Sequence, residues 1–100
     1  MMSNVQAERI AESLEQFIRA RFSVRSDDKL FSRSTHLFED GYVDSTGLVE
    51  LVAYIESEFE IGVPEDAFFD ASFTSIDGIA SAVALIGAEG GYKRVSYVPN

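Results

Sequence analysis

The sequence predicts an all-α domain, a small four-helix bundle with three longer helices and one short, and three observations carry that reading. Apolar residues recur at helical spacing in separate stretches, and no two segments alternate in a way that would let them pair as strands. The 100 residues, 46% hydrophobic and 25% charged, have the balance of one globular domain of ordinary size.

The first helix follows from Val5, Ile10, Leu14, Phe17, Ile18 and Phe22, which lie on one stripe, with Ser3 or Asn4 as its N-cap and its end near Phe22. Ser23 to Val43 keeps no sustained period and is expected to be a long loop, pinned to the core by Leu30, Phe31, Leu37 and Phe38. After Asp44 the helical period returns. Leu48, Leu51, Val52, Ile55 and Phe59 form its inner face, while Thr46, Val49, Glu50, Ala53 and Ser57 look away from it. Gly62 and Pro64 interrupt this helix, and Pro64 with Glu65 and Asp66 starts a short third helix ending near Phe69. Thr74 or Ser75 can cap a last helix that buries Ile76, Ile79, Val83 and Ile86 and stops at Gly87. The domain is therefore expected to span residues 1–87, with 88–100 as a flexible tail. Eight Phe and four Tyr supply large apolar surfaces for the core of so short a chain.

Composition excludes several classes of chemistry. Without cysteine there are no disulfides, cysteine zinc sites, iron–sulfur clusters or thiol nucleophile, and the single histidine, His36, is read as a packing or surface residue. No apolar run approaches the roughly 20 residues that cross a bilayer, and Met1 to Val5 has no secretory character, so the expected location is the cytoplasm.

The net charge of −9 is unevenly spread. Residues 1–33 hold Arg9, Arg19, Arg21, Arg25, Lys29 and Arg33 against five acids, whereas Ser34 to Tyr92 holds twelve acids and no Lys or Arg. Such a stretch repels phosphate backbones, which argues against a nucleic-acid partner and favours basic patches on proteins.

Within Asp40-Gly41-Tyr42-Val43-Asp44-Ser45-Thr46 a serine stands where loop becomes helix. Ser and Asp are both strong N-caps, and a cap is the plain reading of Ser45. The same helix end presents unpaired N–H groups and a partial positive charge, which suit a phosphate ester. No G-x-S-x-G elbow is present and no nearby His or Cys could activate Ser45, so it reads as a substrate for another enzyme rather than a catalyst. A calcium loop of the D-x-[DN]-x-[DN]-G type is absent as well.

Leu37-Phe38-Glu39-Asp40-Gly41-Tyr42-Val43-Asp44-Ser45, followed by Leu48-Val49-Glu50-Leu51-Val52 and Ile55-Glu56-Ser57-Glu58-Phe59, resembles the acyl and peptidyl carrier protein family over about residues 5 to 87. Val63-Pro64-Glu65-Asp66 and Phe73-Thr74-Ser75-Ile76 extend the resemblance. It implies a bundle of carrier-protein type and transfer of 4'-phosphopantetheine from coenzyme A to Ser45 by a magnesium-dependent phosphopantetheinyl transferase. Asp44 matches the acid that helps position magnesium and the transferase. Val49 and Ala53 match small apolar partner contacts, and Glu50 and Glu56 match acids that meet Arg or Lys on partner enzymes.

Thr46 stands where many fatty-acid carriers have Leu, and Gly47 where they often have another acid. The Asp-Ser-Thr-Gly form looks more like stand-alone carriers served by an adenylating ligase, in lipopeptide, nonribosomal peptide or polyketide pathways. Two other readings stay open: a carrier in fatty-acid or lipid synthesis, and an acidic helical interaction module in which Ser45 is only a cap. None makes the chain itself an enzyme, and a small domain that visits several enzymes is expected to be a monomer.

Overall fold

The computed structural model describes residues 2–68 and 70–88. Three helices carry the fold: α1 (Met2–Arg21), α2 (Ser45–Phe59) and, after the single-turn α3 (Glu65–Phe68) and a 3-10 turn (Ala71–Thr74), α4 (Ile76–Ala88). No strand occurs among the described residues. The expected end of α3 at Phe69 lies outside those residues, as does all of the expected flexible tail 88–100 except Ala88, which is the last residue of α4.

The core forms where the apolar stripes meet. Ile10, Ala11, Leu14 and Ile18 of α1 face Ile76, Ile79, Ala80 and Val83 of α4, and Leu51 and Ile55 join them from α2. Tyr54 closes the α1–α2 seam, its ring stacked 4.1 Å from Phe17 and its hydroxyl hydrogen-bonded to Ser13 Oγ. Phe73, in the 3-10 turn, is also fully buried.

Helix ends depart from expectation in ways that backbone geometry explains. α1 already runs from Met2, so Ser3 and Asn4 lie inside it and do not cap it. Its other end is a Schellman turn. Ser23 takes a left-handed φ of 56°, and Val24 N–H donates to Arg19 O at 3.0 Å, satisfying a carbonyl the helix leaves open. α2 ends at left-handed Glu60 (φ 54°) rather than at Gly62, and the Glu56 carboxylate holds this turn by accepting the Val63 N–H at 2.9 Å. Ser75, one of the two expected caps, caps α4: its Oγ accepts the Gly78 N–H at 3.1 Å, while the Thr74 hydroxyl donates to Ala71 O. The end of α4 at Ala88 is one residue past Gly87.

Residues 22–44 form a series of turns fastened at several points. Phe31 and Leu37 are buried and Phe38 is half-buried, but Leu30 is 83% exposed and does not pin this segment. The cause is local. Asp28 Oδ1 accepts the Leu30 N–H and Thr35 Oγ1 donates to Leu30 O, a turn that swings Phe31 inward and leaves Leu30 outside. Arg33 fastens the segment to α1 through Glu15 at 2.9 Å and Glu8 at 2.7 Å. Its carbonyl accepts the Asp77 N–H, and Leu37 N–H donates to Thr74 O, so the same segment also holds the start of α4.

Candidate functional site

The chain approaches α2 through a closed turn. Tyr42 and Val43 N–H groups both donate to Leu37 O, at 2.9 and 3.0 Å, and buried Val43 anchors the residue just before Asp44. Tyr42 adds a hydroxyl hydrogen bond to Asp28 at 2.8 Å and an edge-to-face contact with Phe31. That hydrogen bond holds the Asp28 carboxyl below, and the Tyr42 phenol above, their ordinary ranges. Asp44 therefore enters the helix from a fixed position, in extended conformation.

Asp44, not Ser45, is the N-cap of α2. Its Oδ1 accepts the Gly47 N–H at 2.8 Å and its carbonyl accepts the Leu48 N–H. Ser45 is the first residue of the helix, and its hydroxyl is exposed and makes no hydrogen bond to any described residue. This corrects the reading of Ser45 as a cap: an extended residue must precede the first helical one, and Asp44 fills that place. The Ser45 and Thr46 N–H groups have no acceptor among the described residues, so the positive end of the helix stays open toward solvent beside the Ser45 hydroxyl.

His36 is committed elsewhere. Its Nδ1 accepts the Glu39 N–H at 3.0 Å and its Nε2 lies 3.7 Å from the Glu39 carboxylate, so neither ring nitrogen is turned to Ser45 as a base. Among the described residues no group of three or more His, Asp or Glu could hold a metal ion, and no helix is long and apolar enough to cross a membrane.

Along α2, Val49 is 68% exposed and Ala53 is exposed beside it, forming with Thr46 one open strip that runs away from Ser45. The two acids singled out on this helix both have partners inside the protein: Glu50 with Arg21 at 2.6 Å, and Glu56 with the Val63 N–H. Sequence reasoning missed Arg21 because 29 residues separate it from Glu50. It also missed the role of Gly47, which is buried, and where an added Cβ would stand 2.7 Å from the Phe22 ring. Glycine lets Phe22 pack directly beneath the first turn of α2.

A search among curated proteins finds no match to this chain. The family model described as the phosphopantetheine attachment site matches residues 10–83, a span that begins at buried Ile10 of α1, ends at buried Val83 of α4 and contains the whole Asp44–Ser45 helix start. On that match the chain belongs to the phosphopantetheine-binding carrier family, whose members bear a covalently attached 4'-phosphopantetheine group.

Proposed function

We propose that this protein is a carrier in which Ser45 receives 4'-phosphopantetheine from coenzyme A. The observation that carries the assignment is the state of Ser45: exposed and first in a helix, with neither its hydroxyl nor the two leading N–H groups of that helix bonded to any described residue. A phosphodiester formed on Ser45 Oγ would meet those N–H groups and the positive helix end. Asp44 holds the Gly47 N–H with one carboxylate oxygen, and the other would be available to a magnesium ion shared with the transferase. When attached, the group supplies a thiol that holds acyl or aminoacyl groups as thioesters. The chain has no cysteine to compete for them.

The protein does no bond-making of its own in this reading. The residues serving partner enzymes are the open strip of Val49 and Ala53, with Glu50 and Glu56 at its edges. Its partners are the transferase, an acyl- or aminoacyl-activating ligase and downstream synthases bearing basic patches. The polar Thr46 and uncharged Gly47 beside Ser45 favour a lipopeptide, nonribosomal peptide or polyketide pathway over core fatty-acid synthesis. The fold we assign is the four-helix carrier bundle, with residues 1–87 as the working domain.

The decisive experiment is intact mass before and after incubation with coenzyme A, magnesium and a broad-specificity transferase. The wild type should gain one phosphopantetheinyl group and Ser45→Ala none. No gain by a folded wild type with several transferases would overturn the assignment, and a gain by Ser45→Ala would move it to another residue.

A further inference from the structure

Four arginines form ion pairs among the described residues, and three of them stay with acids of the first 33 residues: Arg19 with Glu15, Arg25 with Asp27, and Arg33 with Glu8 and Glu15. Arg21 is the exception. It reaches across to α2, its Nη2 2.6 Å from Glu50 Oε2. The geometry behind this pair is specific to the sequence. Arg21 closes α1, and the next residue, Phe22, slides its ring into the space left by the missing side chain of Gly47. That contact brings the end of α1 against the start of α2, with the Arg21 guanidinium 5.8 Å from the Phe22 ring centre and on the Glu50 carboxylate.

The consequence concerns the strip beside Ser45. Glu50 adjoins exposed Val49, and its side chain is 37% exposed, while that of Arg21 is 52% exposed. An ion pair this open to water is weak, so a partner can break it, yet while it lasts it occupies Glu50 Oε2 and offsets the charge that a second cation would meet. We propose that Arg21 is a specificity-determining residue: it competes from within the chain for Glu50, whose Oε2 a partner enzyme's Arg or Lys finds already taken. Arg21 thereby penalises partners that rely on a cation opposite Glu50, relative to carriers without such a competitor. The inference rests on the carrier reading only for the identity of the partners.

The test is a double-mutant cycle on transferase-catalysed loading at low ionic strength. Arg21→Gln should raise kcat/KM by about two- to fivefold through a lower KM, the range that an exposed ion pair spans, with kcat unchanged. Glu50→Gln should cost more in the Arg21→Gln background than in the wild type, because there both oxygens of Glu50 and its full charge are open to the partner. Arg21→Lys, which keeps the charge, should stay near the wild type. Arg25→Gln, which removes an equal charge from the Arg25–Asp27 pair, should show no coupling to Glu50→Gln. An unchanged or higher KM in Arg21→Gln, or equal coupling for Arg25, would overturn the proposal. Should the wild type fail to load at all, the carrier reading falls, and titration of the same variants with a labelled oligoarginine peptide decides the competition separately. Tighter binding by Arg21→Gln that depends on Glu50 upholds it; equal binding refutes it.

Discussion

Asp44 and Ser45 are neighbours with divided tasks: the carboxylate closes the helix, and the hydroxyl is exposed and unbonded among the described residues. Under the proposed carrier function, that division separates stability from modification. Asp44→Ala should lower unfolding stability by about 0.5–2 kcal/mol, the usual cost of a lost cap. Ser45→Ala should stay within about 0.5 kcal/mol of the wild type, since it removes an exposed hydroxyl that has no hydrogen bond to any described residue. Asp44→Asn keeps the capping oxygen and loses the charge, so it should unfold like the wild type while its loading slows roughly tenfold, as expected for one lost charged contact. Urea midpoints and loading rates on the same samples check all three. A large loss of stability in Ser45→Ala would return that residue to a structural role. The pair could be found in the sequence because capping and the carrier resemblance are both local. Which of the two is the cap depends on one residue's backbone angles, and so could not be read there. The structural roles of Gly47 and Arg21 were hidden for a different reason, since they depend on Phe22 and Glu50, brought near by tertiary packing.

At the scale of elements, the helices with a clear apolar stripe were legible, and the connections were not. α1, α2 and α4 follow from period alone, but the 3-10 turn Ala71–Thr74 has no period, and Ser23 and Glu60 take left-handed angles that sequence rules assign to glycine. The 3-10 turn meets α4 at Gly78, where an added Cβ would lie 1.7 Å from the Ser72 carbonyl oxygen. Backbone cannot step aside as a side-chain tip can. Gly78→Ala should therefore destabilise by roughly 1–3 kcal/mol in urea unfolding despite the better helix propensity of alanine. An unchanged midpoint would mean that the turn and α4 are not in contact. The clasp between α1 and residues 22–44 makes a second prediction, this one in pH. Glu15 is held below the ordinary carboxylate range, chiefly by the Arg33 hydrogen bond and next by that of Arg19. A carboxylate with a lower value folded than unfolded contributes in full above the unfolded value, and the contribution fades as pH falls through the folded one. Arg33→Gln should lose about 1 kcal/mol at neutral pH, and its gap from the wild type should narrow through the acid titration of Glu15. A gap that stayed constant with pH would assign the contribution of Arg33 to packing.

Across the whole molecule, the arginines at the start of the chain are largely spent on internal pairs, and the acids of the later stretch are largely not. Arg19, Arg25 and Arg33 neutralise their own segment, while among the described residues Asp44, Glu58, Glu60, Asp66 and Asp77 form no ion pair. The net charge of −9 is thus expressed outward mainly from the half that begins at Asp44, with Arg21 as the one arginine that, among the described residues, is paired with an acid of that half. A field of that sign speeds encounters with basic partners and weakens as the Debye length shrinks to about 10 Å at 0.1 M salt. Transferase loading should therefore show kcat/KM falling about five- to tenfold between roughly 0.03 and 0.3 M monovalent salt, with kcat nearly constant. Steered association acts before the complex forms, which is why the loss belongs in kcat/KM. Glu50→Gln should flatten the dependence only slightly, because one charge among many contributes little to a summed field. A dependence abolished by that single change would place recognition in one contact, and a rate indifferent to salt would leave it to the apolar strip of Val49 and Ala53.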